Sequence, residues 1–429
     1  VETQAFTSER PPTDLPVPGR SPRRAGRWLL LAWFLVLLPL SAQHFSFRIY
    51  EREEGMVNQQ VYSICQDTTG YLWIGTANGV FRHDGLRFLA FHTGQRHSNS
   101  SIVQGVHCGG DGTVWAATAG GVSWFDGTEF RPVDLGRSYR MRPLDSMATD
   151  SRHQIYIGTD KGLFMGRRAA GGNGWRFEAM EGGRGVFGQP VHALEVDRSG
   201  RVWFASQYEV YRWDREAGAV RVGEDSGVPD SVWAVIDEDP KGGIWLRNSR
   251  KIYWMPKGGS QFTDRRGDVA PSPDVGNAIF DHAQRMLIPT TRGIAILEAA
   301  GLTNARLPWR HVDESNNLPG SSVTALLQDR EGSLWLGFSG LGLSRWLGYD
   351  KWETWGRSEG ISNEAIWGPI FDAQGVMWVA SKAGLHRRVQ GRFERFSAKP
   401  VYLGENPVIT AGSGGRIWAG TFIREGLFA

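Results

Sequence analysis

The chain is predicted to be all-β, a seven-bladed β-propeller of four-stranded antiparallel blades followed by the first blades of a second propeller. Three observations carry that expectation: a repeat of about 43 residues, an Asp-x-x-Gly turn at a fixed distance before an aromatic anchor, and an unpaired N-terminal strand that a later repeat lacks.

The repeat is seen in GYLWIGTANGV, GTVWAATAGGV, RVWFASQYEV, GGIWLRNSRKI, GSLWLGFSGLGL, GVMWVASKAGL and GRIWAGTFIREGL, with QIYIGTDKGL and RMLIPTTRGI as degenerate copies. Its anchors are Trp73, Trp115, Tyr156, Trp203, Trp245, Leu287, Trp335, Trp378 and Trp418, spaced 40 to 48 residues apart. Six positions before the anchor stands Asp in seven copies (Asp67, Asp150, Asp197, Asp239, Asp281, Asp329, Asp372), and three before it stands Gly in seven. An Asp side chain accepts bonds from turn amides and Gly takes a positive φ, so each unit reads strand, turn, strand. An alternating stretch such as VHALEVD precedes the turn, and a further turn at Gly79, Gly162 or Gly384 leads to a third strand and often a fourth. One such sheet cannot bury both of its faces, so neighbours must stack, and units of this size stack radially. The anchors are read as packing between blades rather than as ligand contacts. His153 and Gln284 stand where the turn Gly is expected, which points to distorted blades at Tyr156 and Leu287.

Phe45–Tyr50 resembles a fourth strand with no blade ahead of it. Residues 50–62 align with residues 355–367 at an offset of 305, close to seven periods. Phe45–Tyr50 is therefore expected to complete the blade of Trp335, with Lys351–Trp355 opening a second ring. The expected divisions are an N-terminal export segment over 1–42, a propeller over 44–350 and a truncated second propeller over 351–429.

Composition agrees with many tight turns and packed aromatics, since 56 Gly accompany 19 Trp. Lys and Arg exceed Asp and Glu by only three and are scattered, which excludes a phosphate-neutralising face and hence nucleic acid as a partner of this segment. Arg20, Arg23, Arg24 and Arg27 precede an apolar run from Trp28 to Leu38, then Pro39, Leu40, Ser41 and Ala42, the order of a secretory signal peptide, with a signal-anchor as the rival. Arg23-Arg24 lacks the bulky apolar pair of a twin-arginine signal. Export would place the rest of the chain where cysteines can pair, yet Cys65 and Cys108 fall at equivalent points of consecutive repeats, and such points on neighbouring blades are expected to lie too far apart to bridge.

The pattern V-x-x-I-x-x-D-x-x-G-x-L-W-I-G-T-x-x-G-L, best kept in residues 61–80 and 323–343, resembles the two-component regulator propeller repeat over about residues 44 to 429. That resemblance implies the periplasmic region of an inner-membrane sensor, in which paired propellers are followed by a β-sandwich, a membrane helix and a cytoplasmic output domain. The output is usually a histidine kinase, sometimes a diguanylate cyclase. It further implies a small-molecule or oligosaccharide ligand, anchorage through a helix beyond this segment, and a homodimer.

No converging catalytic set is legible. The ten His are dispersed, no Cys/His cluster suggests a metal, no phosphate-cradling loop suggests a nucleotide, and neither metal nor cofactor is expected. Gly356-Arg357-Ser358-Glu359-Gly360 matches a nucleophile elbow in letters only, because it joins two blade strands rather than a strand and a helix. Propellers bind at a ring face where loops converge. The turns after the anchor strand therefore hold the ligand candidates: Asn78, Asp160, Lys161, Gln207, Tyr208, Asn248, Arg250 and Arg292. The segment is expected to be a non-enzymatic sensor input. Competing readings are an exported propeller lyase or glycosidase and a passive interaction scaffold.

Overall fold

The structure, a computed structural model, describes residues 45–428 apart from short internal stretches, the longest of them 94–100. Residues 1–42 lie outside the described residues, as do 352–354 of the strand expected at 351–355. The chain divides into two compact units, Phe45–Trp352 and one that contains Glu353–Ala429.

In the first unit the described residues form seven four-stranded antiparallel sheets, six of them built in chain order from one repeat. The first sheet is typical, with strands Val61–Gln66, Leu72–Thr76, Gly79–His83 and Phe88–Phe91. The seventh combines Val323–Gln328, Leu334–Phe338 and Gly342–Leu347 with Ser46–Tyr50, whose register runs from Ser46 opposite Leu347 to Tyr50 opposite Leu343. The N-terminal strand thus completes the blade of Trp335, as the offset predicts, and the fold is a β-propeller. Closure is reinforced where the first strands of the seventh and first sheets meet, as Thr324 Oγ1 donates to Val61 O at 2.6 Å. On the opposite edge Arg330 donates to Thr68 O at 2.9 Å and Asp67 O at 2.5 Å.

The core lies between sheets, as radial stacking requires. Trp73 and Val80 of the first sheet pack on Val103, Val106 and Val114 of the second, and Trp203 of the fourth packs on Trp233 and Ile236 of the fifth. At about 25 cal/mol per Å², burying an indole of roughly 200 Å² is worth about 5 kcal/mol before entropy is charged. The anchors Trp73, Trp115, Tyr156, Trp203, Trp245 and Leu287 are all at most 2% exposed. The Gly that follows the anchor by two is a place of close approach: a Cβ on Gly75 would sit 2.8 Å from Val103 O, and one on Gly158 would sit 2.6 Å from Val191.

The spacing of six between Asp and anchor has a second cause. Asp67 Oδ1 accepts the turn amides of Thr69, Gly70 and Tyr71, while its Oδ2 accepts Trp73 Nε1 at 2.7 Å. The indole bond recurs from Trp203 to Asp197, Trp245 to Asp239 and Trp335 to Asp329, at 2.8 to 3.0 Å. One carboxylate closes the turn and orients the anchor. In the second sheet Gly109 replaces the Asp, and Trp115 Nε1 is buried without an acceptor among the described residues.

At His153 and Gln284 the turn is kept, both residues taking φ near +60° in the left-handed region at a local cost of about 1 kcal/mol, while the first strands of their blades are short, Met147–Thr149 and Ile279–Phe280 against six residues in Val61–Gln66. One expectation needs correction: Cys65 and Cys108 are disulfide-bonded, with Cα atoms 5.8 Å apart. Packed sheets are ordinarily ~10 Å apart. First strands of neighbouring sheets lie at the narrow end of the wedge between blades, close enough for Ser63 Oγ to accept from Val106 N at 3.2 Å.

The second unit holds a four-stranded sheet, Ile366–Phe371, Met377–Ser381, Gly384–Val389 and Arg392–Arg395, and a three-stranded one beginning with Val408–Ala411. Trp378 and Ala380 pack on Leu403, Ile409 and Ala419, and Trp378 Nε1 donates to Asp372 at 2.8 Å, so the repeat chemistry continues there. Among the described residues no helix is long and apolar enough to cross a membrane.

Candidate functional site

The candidate contacts sit on one edge of the first unit, where turns between second and third strands meet the connections between sheets. The local sequence sets these turns. Thr76 Oγ1 accepts Asn78 N at 3.1 Å and donates to Gly79 O at 2.9 Å, and Thr159 and Thr290 repeat the pattern with Lys161 and Arg292. A buried hydroxyl thus pins the turn while the next-but-one residue projects outward, leaving Asn78, Lys161 and Arg292 exposed.

Three candidates are occupied in lacing turns to connections. Asp160 Oδ1 accepts Arg140 N at 2.7 Å, Gln207 Nε2 donates to Gln189 Oε1 at 2.9 Å, and Asn248 Nδ2 donates to Ser231 Oγ at 2.9 Å. Lys161 Nζ lies 3.4 Å from Asp160 Oδ2, and Tyr208 remains 61% exposed.

The fifth sheet differs. Asn248 stands in the place of the turn hydroxyl, its Oδ1 accepting Arg250 N at 2.9 Å and Lys251 N at 2.8 Å, and Arg247, only 2% exposed, stands one position earlier, where Gly75 and Gly158 stand in their sheets. Arg247 Nε lies 3.4 Å from Asp237 Oδ2, and its Nη2 donates to Gly276 O at 2.9 Å. Burial raises the Asp237 carboxyl above its ordinary value, and the neighbouring Arg247 opposes the rise. Beside it lies a small, partly open cavity, lined by Arg247, Asn248, Ser249, Arg250 and Arg266 against a wall that includes Ile288. Arg265 is engaged elsewhere, over Trp245 and Trp254 and bonded to Gly301 O. Of the candidates, then, Asn248 and Arg250 come together in a cavity, while Asn78, Asp160, Lys161, Gln207, Tyr208 and Arg292 do not line it.

Sequence reasoning missed Arg247 and Arg266. For Arg247 a signal existed: the equivalent positions, two after each anchor, are Gly75, Ala117, Gly158, Ala205, Pro289, Gly337, Ala380 and Gly420, none of them charged. Arg266 lies in a connection outside the repeat frame, where nothing marks it.

Among the described residues no group of three His, Cys, Asp or Glu side chains could hold a metal ion. In the second unit Ser381 Oγ lies 2.9 Å from His386 Nε2, but both are buried, and His386 Nδ1 has no partner among the described residues to orient it as a base. Residues 356–359 of the elbow-like motif lie outside the described residues.

The pattern of the two-component regulator propeller family matches residues 55–78 and 317–340. The chain carries two-component regulator propeller repeats. Among solved structures, this repeat chain resembles the extracellular domain of a protein described as a hybrid two-component system of B. thetaiotaomicron, with 17% identity and a TM-score of 0.62 over 89% of this chain and 53% of that one. It resembles the extracellular domain of one described as a one-component system of the same organism, with 16% identity and a TM-score of 0.55 over 88% and 52%. Virginiamycin B lyase from Staphylococcus aureus aligns with 13% identity and a TM-score of 0.53 over 70% of this chain and 99% of that one. At these identities the likeness is one of fold. The regulator propeller chain spans about half the length of the two extracellular domains. Comparison with curated proteins gives no significant sequence match.

Proposed function

We propose that this chain is the exported, ligand-sensing propeller region of a membrane-bound two-component sensor. The regulator propeller repeat supports the reading most directly, since proteins of similar fold serve as extracellular domains of two-component systems. Residues 1–42 direct export, 44–350 form the first ring and 351–429 begin a second. A histidine kinase, or less often a diguanylate cyclase, lies on the far side of the membrane, reached through a helix further along the protein, and the sensor works as a dimer. The ligand is a small solute or oligosaccharide held at the turn edge. An enzymatic reading draws no support from the cavity at that edge, whose guanidinium and amide groups bind but supply neither base nor nucleophile.

Two measurements test the proposal. Alkaline phosphatase fused after Ala429 should be active in a bacterial host, and inactivity would remove the export claim. In a thermal-shift screen of small solutes and oligosaccharides, a ligand at ~100 times its Kd should add about 2.7 kcal/mol of stability. A screen in which nothing saturates, together with a full-length sensor whose output answers no solute, would overturn the sensing role.

A further inference from the structure

We propose that the cavity between the fifth and sixth sheets is a binding site for a small oxyanion, a carboxylate, sulfate or phosphate group carried by a solute. The inference rests on the sensing reading in taking the turn edge as the ligand face, and goes beyond it in naming one cavity and one ligand chemistry.

The first argument is the residue at the floor. Within this chain the repeats serve as their own comparison, and the position of Arg247, two after the anchor, is otherwise filled by a small residue or proline: Gly75, Ala117, Gly158, Ala205, Pro289, Gly337, Ala380 and Gly420. A guanidinium held at 2% exposure is costly to desolvate, and the turn gains nothing from it, since Asn248, in the hydroxyl's own position, closes the turn. Asp237 and Gly276 O engage Nε and Nη2. Among the described residues Nη1 has no bonded partner, and Arg247 borders the cavity.

The second argument is the company it keeps. Arg250 and Arg266 line the same space, and among the described residues no carboxylate does. Arg250 N is tied to Asn248 and Arg266 N to Asp264 Oδ1, which fixes both backbones while the guanidinium groups remain uncommitted to an acid. Like charges gathered around a partly enclosed space repel one another, and an anion between them turns that repulsion into charge-assisted hydrogen bonds. The planar fork of Arg matches two oxygens of a carboxylate, sulfate or phosphate. Asn248 and Ser249 add polar contacts, while the apolar wall lowers competition from water and suits the body of a small molecule.

The experiment uses the whole chain at constant ionic strength held with sodium chloride, because exposed charges respond to salt alone. Sodium sulfate, sodium phosphate, sodium acetate and sodium glucuronate are titrated beside glucose, the neutral counterpart of glucuronate, with melting temperature and tryptophan fluorescence as readouts. At least one oxyanion should saturate where glucose does not, and the best of them identifies the group. Arg250→Gln and Arg266→Gln, both at the surface of the cavity, should each weaken that binding at least tenfold with an unchanged melting temperature in the absence of ligand. Arg247→Ala combined with Asp237→Leu, residues that other repeats already carry at these positions as Ala117, Ala205 and Leu327, should fold and lose binding. Absence of saturation by all four anions, or equal binding in both glutamine variants, overturns the site. A neutral solute that stabilises wild type and an Arg250→Gln/Arg266→Gln double variant alike overturns it too, while leaving ligand sensing standing. Saturable anion binding that depends on the arginines, in a sensor whose output ignores the anion, keeps the site and removes the sensing role.

Discussion

The first and sixth sheets do one job with different residues. In the first, Asp67 gathers three turn amides on one oxygen and the indole N–H of its own anchor on the other. In the sixth, the anchor is Leu287, which has no N–H to give, and Gln284 holds the glycine's place at φ +60°. Asp281 nonetheless finds donors: Arg285 Nε at 2.6 Å, and Tyr349 Oη at 2.7 Å, which arrives from 68 residues further on. Arg285 continues to Asp350 at 2.9 Å. A local bond within one hairpin has become a tertiary one, clasping the chain that leaves the seventh sheet onto the sixth. The difference teaches that the turn requires a filled acceptor, and that the ring is indifferent to which segment fills it.

The largest test of that contrast is Asp281→Ala against Asp67→Ala. Losing Asp281 removes the shared acceptor of Arg285 Nε and the buried Tyr349 phenol, leaves Arg285 only its pair with Asp350 and should cost about 3–5 kcal/mol, whereas losing Asp67 leaves an indole N–H and turn amides and should cost about 2 kcal/mol. Urea midpoints that coincide for the two variants would break the comparison. Next comes the disulfide, a link between the first two sheets made independently of the turns. Replacing Cys65 and Cys108 with Ser together opens a loop of 43 residues and should cost roughly 3–4 kcal/mol, and a reductant should lower the wild-type midpoint alone.

A third test concerns His107, beside that disulfide in the second sheet. It keeps a little accessible surface, yet surrounding protein and Asp111 at a distance leave burial dominant, and its pKa falls from 6.5 to about 4, with Nε2 3.1 Å from Thr149 Oγ1. The unfolded chain takes up a proton near pH 6.5 that the folded one refuses until about pH 4. Stability is therefore full above pH 6.5 and declines as the pH drops toward 4, by on the order of 2 kcal/mol. His107→Gln should flatten that decline, and an unaltered profile would assign it to other groups. The smallest effect is a gain: His153→Gly and Gln284→Gly, each relieving a left-handed φ, should stabilise by about 0.5–1 kcal/mol in the melting curve. A loss instead would mean that these side chains hold their turns in some further way.

Much of the fold was legible in advance, for identifiable reasons. Trp73 and its equivalents declare themselves because a propeller repeats one local solution, so the Asp, the Gly and the anchor recur at fixed spacing. The partner of Phe45–Tyr50 could be named because a circle must end where it began, and a strand without a blade implies a blade without a strand. The candidate site was legible only in part. Asn248 and Arg250 could be found as outward turn residues, whereas Arg266 could not, since its connection obeys no period and its place beside Arg247 is set by how two sheets meet. The Arg247 departure was written in the repeat, but only burial at 2% gives an arginine in place of a glycine or alanine its meaning.

By itself the amino-acid sequence determined the unit, which follows from hydrogen bonds and apolar faces within some 43 residues, and the blade that Ser46–Tyr50 completes, which follows from the offset of 305. Tertiary structure alone decided the Cys65–Cys108 bond, the capture of Asp281 by Tyr349 and the gathering of three arginines around one cavity. Each of these depends on distances across the wedge between neighbouring sheets, which narrows toward the axis, and a linear pattern carries no measure of that taper.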